Sequence, residues 1–145
     1  MADPVPQSYG NHTRWDPPFH FFVLPMVFLT VVVTIVHFVH RQNFFAGWLV
    51  IFSIAIVILA IRARQFALKV QDRIIRLEER LRLAGLLAEP LRSRIGELTE
   101  GQLVALRFAS DGEIPALVED ILARKLSRGE IKKTIKVWRG DYFRV

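Results

Sequence analysis

The sequence contains four histidines, the residue type best suited in this chain to ligate a haem, a pigment or a metal ion: His12, His20, His37 and His40. His37 and His40 are three residues apart and would share one face of a helix. An axial imidazole from His37 could hold a haem or a chlorophyll, but the apolar segment that follows offers no second His or Met ligand. The chain has no cysteine, and no acidic side chain completes a metal site with His12 and His20. We therefore expect no cofactor and no metal, with pigment or haem binding through His37 as an alternative hypothesis.

Residues for other catalytic chemistry are present but lack the required spacing. None of the five serines lies in a nucleophile-elbow pattern, and the glycines of residues 90–145 do not form a phosphate loop. The carboxylate pairs Glu78–Glu79 and Glu119–Asp120 are adjacent in sequence, so their side chains diverge on a helix. We interpret both pairs as solvated charges and expect that the protein is not an enzyme.

The elements that must position all these residues are organised around two apolar segments, Phe19–Val39 and Phe44–Ile61. Neither segment contains a charged residue. As helices they would be roughly 32 and 27 Å long, close to the ~30 Å thickness of the bilayer hydrocarbon core. The backbone of a lipid-exposed segment must form its hydrogen bonds internally, which favours helices here. The sequence predicts a transmembrane helical hairpin with a short turn.

The charges predict the orientation of this hairpin. Residues 62–145 carry the whole net charge of +6, and four basic residues closely follow the second segment: Arg62, Arg64, Lys69 and Arg73. The positive-inside rule places this end, and hence both termini, in the cytoplasm. We expect the four side chains to contact anionic lipid headgroups.

The second helix is predicted to continue beyond the membrane as a basic amphipathic helix over residues 62–89. Small and apolar residues recur at alternating spacings of three and four, the pattern of a coiled-coil heptad: Ala60, Ala63, Ala67, Val70, Ile74, Leu77, Leu81 and Ala84. This face can pair with a second copy of the chain or fold back on the C-terminal helices. The sequence leaves both possibilities open.

Residues 90–145 are predicted to form a small helical domain. Thr99–Gln102 and Ser127–Glu130 match the capping box that begins a helix, and Ser110–Glu113 can cap a helix between them. The predicted fold class is an all-α membrane protein. Its parts are an irregular interfacial arm (1–18), the hairpin (19–61, with spans 19–39 and 44–61), the basic helix (62–89) and the helical domain (90–145).

Basic residues also cluster on the last predicted helix: Lys132, Lys133, Lys136 and Arg139. Three helices ending in a basic one could be a helix-turn-helix reader of DNA. No set of Asn, Gln or Arg side chains is arranged to read bases, so nucleic acid is not an expected partner. A membrane-tethered regulatory or nucleic-acid-binding domain is the second alternative hypothesis.

The arm concentrates aromatic and hydrogen-bonding side chains where a simple tether would not need them. One interpretation is an interfacial aromatic belt with a proline stop before the first helix. The other is a docking surface, against the chain's own soluble domain or a larger membrane partner. The predicted partner-binding residues of the arm and of the basic helix are His12, Arg14, Trp15, His20, Val70, Ile74, Leu77 and Leu81.

The chain resembles an uncharacterised family of small bacterial two-helix membrane proteins, a domain of unknown function. The resemblance is carried by Gln7–Arg14, Pro18–Phe21, the hairpin, Gln71–Arg82, Ile131–Lys133, Trp138 and Asp141–Tyr142. It implies the two-helix architecture and a bacterial cell membrane, and it assigns no activity to any residue.

These observations together predict a non-enzymatic accessory or scaffolding subunit of the bacterial inner membrane. Its expected partners are the lipid bilayer with its anionic headgroups and either other copies of itself or a larger membrane complex.

Overall fold

The computed structural model of the protein describes residues 6–13 and 15–142, and in these residues the regular elements are helices. One isolated antiparallel bridge, between Ala109 and Trp138, is the sole β-type pairing within these ranges. The all-helical prediction is confirmed. The described chain divides into two compact units, a hairpin unit (15–69) and a domain unit (6–13 with 70–142).

The hairpin unit contains two long apolar helices, as predicted. A π-helical turn, Pro18–Val23, leads into α1, Leu24–Arg41, and α2 begins at Phe44. By length and composition, both helices are apolar enough to cross a membrane. The turn is shorter than predicted. Gln42 takes a left-handed conformation (φ 44°) that ends α1, and the Asn43 side chain accepts a hydrogen bond from the Ala46 N–H at 2.8 Å.

The two helices of the hairpin unit run antiparallel, as contacts at two levels along their length indicate. Near the start of α1, Asp16 forms an ion pair with Arg64 at 3.3 Å, and the Arg64 guanidinium lies 5.5 Å from the Phe19 ring centroid. Halfway along, the hydroxyls of Thr34 and Ser53 are 3.0 Å apart. Small polar side chains allow two helices to approach closely, and they satisfy each other's hydrogen bonds.

Helix α2 continues without a break to Leu86. The remaining elements of the domain unit are short: a 3₁₀ turn at Arg92–Glu97, α3 at Glu100–Leu106, a 3₁₀ turn at Asp111–Glu113, α4 at Ile114–Arg124 and α5 at Arg128–Thr134. Their apolar side chains form one core with the end of α2, containing Leu83, Leu87, Leu98, Leu103, Leu106, Phe108, Ile114, Leu117, Val118, Ile121, Leu126, Ile131 and Ile135.

Two of the three predicted helix starts have the expected capping geometry. The side chains of Thr99 and Ser127 each accept a hydrogen bond from the backbone N–H three residues later. The side chains of Gln102 and Glu130 in turn accept from the backbone N–H groups of Thr99 and Ser127. The prediction for Ser110–Glu113 was wrong, because this segment forms the 3₁₀ turn and α4 has no side-chain cap. The Glu113 carboxylate instead accepts hydrogen bonds from the backbone N–H groups of Lys136 and Val137, both at 3.0 Å.

The last helix is also shorter than the sequence suggested. It ends at Thr134 because Ile135 is extended (ψ 123°), so Lys136, Trp138 and Arg139 do not lie on it. The chain then runs beside the turn after α3. The Arg139 N–H donates to the Phe108 carbonyl at 2.7 Å. This pairing brings the Trp138 ring to 5.1 Å from the Phe108 ring, against the core.

Candidate functional site

The arm residues 6–13 belong to the domain unit, where they contact the turn after α3 and the segment that follows α5. The Gln7 side chain donates to the carbonyl oxygen of Asp141 at 3.1 Å and accepts from the N–H of Asp141 at 3.0 Å. The ring of His12 lies 5.8 Å from Phe108 and 5.7 Å from Trp138. Of the two partners that the sequence left open for the arm, the chain's own domain is the one that residues 6–13 contact.

The other predicted arm residues lie elsewhere. Arg14 lies outside the described residues. Trp15 and His20 belong to the hairpin unit, where their rings meet edge to face at 5.0 Å. His20 Nδ1 lies 2.8 Å from the carbonyl oxygen of Asp16. His12 and His20 therefore belong to separate units and take part in local aromatic contacts.

The two histidines near the end of α1 have exposed side chains. His40 Nδ1 lies 2.8 Å from the Val36 carbonyl oxygen, an ordinary contact one helical turn back. An apolar depression of ≈ 480 Å³ near the hairpin turn is lined by Phe38, Trp48 and Ile51 among others, and His37 is not one of its lining residues. Within residues 6–13 and 15–142, no three His, Asp or Glu side chains are grouped to hold a metal ion.

The four basic residues that follow the second apolar segment have two different environments. Arg62, Lys69 and Arg73 are exposed, and Arg62 bonds to the Gln65 side chain at 3.3 Å. Arg64 is half-buried and forms the ion pair with Asp16 described above. The side chain of Arg64 thus helps to hold the hairpin, a role that differs from the predicted contact with lipid.

Helix α2 has two apolar faces in its last third. One face, with Ile75, Glu79 and Leu83, is buried against the domain core. The other face, which we call the outer stripe, consists of four apolar residues of the predicted heptad that remain exposed: Val70 (57%), Ile74 (52%), Leu77 (61%) and Leu81 (67%). At about 100° per residue, the two faces point about 170° apart around the helix. Of the two possibilities left open for the heptad face, the C-terminal helices do not cover it; they cover the opposite face of α2, and the outer stripe stays exposed in the single chain.

The interpretation of Glu79 as a solvated charge was wrong. Glu79 is 4% exposed, and its carboxylate contacts Arg82 at 3.0 Å and Arg139 at 3.8 Å. Arg82 also donates to the Asp111 carboxylate at 2.8 Å and to the Ala109 carbonyl oxygen at 2.7 Å. Burial raises the pKa of Glu79 although Arg82 opposes this shift, and the hydrogen bond from Arg82 lowers the pKa of Asp111.

A signal for this buried face was present in the sequence. Ile75, Glu79, Leu83 and Leu87 follow one another at intervals of four, which places them on one side of a helix. The heptad of the outer stripe is the more regular pattern. The series that begins at Ile75 is harder to recognise because a charged residue, Glu79, interrupts its apolar side chains. The acidic partner of Arg82 on the domain, Asp111, could not be found from the sequence because it is 29 residues away.

The predicted basic cluster is engaged within the domain unit. Lys132 is buried, with its ammonium 5.1 Å from the Phe108 ring centroid. Lys133 lies 5.8 Å from the ring of Tyr9 in the arm, and Arg139 faces Glu79. Three of the four cations therefore contact aromatic or acidic groups of their own chain.

No curated protein and no solved structure shows significant similarity to the chain. The model of one family matches residues 1–145, the full length of the sequence. The chain belongs to that family, the family of unknown function DUF6526.

Proposed function

We propose that this protein is a non-enzymatic accessory or scaffolding subunit of the bacterial inner membrane. The hairpin unit anchors it in the bilayer, both termini lie in the cytoplasm, and the outer stripe of α2 binds a protein partner. The observation that carries the proposal is the exposed apolar stripe directly after two apolar helices of membrane-spanning length.

The surface of the hairpin unit supports the membrane anchor. Large apolar side chains are exposed along both helices, among them Phe21, Phe28, Val32, Ile58 and Leu59. Soluble monomers rarely expose a continuous apolar surface beyond a few hundred Å². A bilayer would cover these side chains, and Arg62 and Lys69 would then lie at the cytoplasmic headgroups.

The role as an accessory subunit is supported by the outer stripe. Its four side chains lie on an extension of the second apolar helix, outside the predicted span and on the face that the domain does not cover. A partner helix would remove this apolar surface from water, which favours association by about 25 cal/mol per Å² buried.

The test is affinity purification of the tagged protein, expressed at its native level, in a mild detergent, followed by native mass spectrometry. We expect assemblies that contain other membrane subunits or further copies of the chain. Leu77→Asp should abolish them, since an unpaired charge would have to be buried in the interface. Leu77 is exposed in the single chain, so the variant should fold.

Ala116→Asp, which adds the same charge at an exposed position of α4, is the matched control and should leave the assemblies intact. A wild-type protein that is purely monomeric, or assemblies that survive Leu77→Asp, would contradict the scaffolding role. Release of the protein from membranes by alkaline carbonate would contradict the anchor.

A further inference from the structure

We infer that the outer stripe is covered by a second copy of the chain, in a parallel two-stranded coiled coil formed by the α2 helices. This inference rests on the proposed membrane anchor, because two hairpins inserted into one bilayer with the same topology have parallel α2 helices. The register of the stripe and the charges beside it favour this occupant.

The outer stripe has the core positions of a heptad. Ile74 and Leu81 occupy a positions, and Val70 and Leu77 occupy d positions. A β-branched residue at a followed by leucine at d, as in Ile74 and Leu77, favours two parallel strands. All four side chains are more than half exposed in the single chain, so a second helix would bury them without displacing a contact of the domain core.

The charges beside the stripe are self-complementary. Arg73 occupies a g position and Glu78 the following e position, and both are exposed. In a parallel coiled coil, a g residue faces the next e residue of the other helix. Arg73 of each copy would therefore pair with Glu78 of the other, which gives two ion pairs related by symmetry.

The opposite orientation has no such match. Antiparallel helices bring g against g and e against e, and the g residue that follows Arg73, Arg80, is another arginine. Arg73 would therefore not face Glu78 of the other copy. Neither residue has an ion pair with its own chain in the ranges that the structure describes, whereas Glu79, Arg82 and Arg76 on the inner side are all paired. One helix thus supplies both halves of the parallel interface, which favours a second copy over an unrelated helix.

Cysteine cross-linking in isolated membranes tests this arrangement, because the natural chain has no cysteine. Val70→Cys and Leu77→Cys, both at d positions, should each form a disulfide-linked product of twice the chain mass of 16.7 kDa. Glu119→Cys, at an exposed position of α4, is the control and should not. Cross-linking through Leu77→Cys but not through Val70→Cys would indicate an antiparallel contact and overturn the parallel coiled coil.

Charge exchange at Arg73 and Glu78, which flank the stripe, then tests the two ion pairs. The exchanges are made in the Leu77→Cys variant, so that cross-linking reports association. Arg73→Glu alone and Glu78→Arg alone each place two like-charge pairs in the dimer, and should weaken association about tenfold. The double exchange restores opposite charges and should recover cross-linking. A double variant no better than the single variants would overturn the proposed pairing.

The anchor and the dimer can fail separately in these samples. Protein that stays in carbonate-washed membranes but cross-links no more than the Glu119→Cys control would overturn the dimer and leave the anchor standing. A cross-linked product of any other mass would identify a different protein as the occupant of the stripe and overturn self-association. Protein released by the wash would contradict the anchor, whatever its cross-linking.

Discussion

At the scale of single residues, the carboxylate of Glu79 is buried where α2 packs on the domain, between the guanidinium groups of Arg82 and Arg139. Moving a carboxylate out of water costs more than an exposed ion pair returns, and the pKa of Glu79 is accordingly raised. Arg82 compensates in part by joining α2 to Asp111 and to the Ala109 carbonyl oxygen. Glu79 therefore orients Arg82 at a cost in stability that depends on pH.

Glu79→Gln should reveal that cost. Between the ordinary carboxyl pKa of 4.5 and the raised pKa of the folded state, Glu79 keeps its proton when the protein is folded and loses it on unfolding. The free energy of unfolding of the wild type should therefore fall relative to Glu79→Gln as pH rises through this window, and the difference should level off above it. Urea denaturation in detergent, followed by circular dichroism, measures this difference.

The lowered pKa values of Asp111 and Glu130 act in the opposite direction, with stability lost as the pH falls. Asp111 and Glu130 are present in both the wild type and Glu79→Gln, so the difference between their free energies of unfolding reports on Glu79. Glu119→Gln, at an exposed position, should follow the wild type at every pH. If the free energy of unfolding of the wild type, taken relative to that of Glu79→Gln, stays constant or rises with pH, then burial does not hold Glu79 protonated.

At the scale of elements, residues 6–13 of the arm form a segment without helix or strand that the domain unit holds through side chains. Gln7 makes two hydrogen bonds to the backbone of Asp141 and so imitates a strand at the edge of the domain. His12 lies against Phe108 and Trp138. The arm thus covers part of the domain surface that the core aromatic residues would otherwise expose.

Gln7→Leu keeps the size of the side chain and removes both bonds. We expect the amides of residues 8–12 to lose protection from hydrogen exchange and the domain to lose about 1–2 kcal/mol of stability. Ser8→Ala, which removes only a local bond to Asn11, should leave the protection of the arm close to that of the wild type. Unchanged exchange in Gln7→Leu would show that the aromatic contacts hold the arm without Gln7.

At the scale of the whole molecule, the proposed topology exposes the hairpin turn on the periplasmic side of the membrane and the domain unit, with both termini, on the cytoplasmic side. Arg41→Cys lies at the end of α1 beside the turn, and Glu119→Cys lies on α4. A membrane-impermeant maleimide should label the first from the periplasmic side and the second only after the membrane is opened. Labelling of Glu119→Cys in intact cells would reverse the orientation.

Sequence reasoning was reliable where structure depends on neighbours along the chain. The two apolar helices and the capping boxes at Thr99 and Ser127 follow from local patterns, and the structure has them. The end of α5 at Thr134 and the environment of Glu79 depend on pairing with Phe108 and Asp111, which are distant in sequence. The outer stripe was recognised as a heptad, but a sequence alone cannot show which of two apolar faces the same chain covers.

The contact of Gln7 with Asp141 joins residues 134 positions apart, and this separation has a consequence for biosynthesis. The ribosome makes the arm early, but Trp138 and Asp141, on which the arm packs, emerge only after both apolar helices and all the short helices. The arm therefore cannot complete these contacts until Trp138 and Asp141 have emerged from the ribosome. An arrested nascent chain that stops before Trp138 carries an arm whose binding site is incomplete.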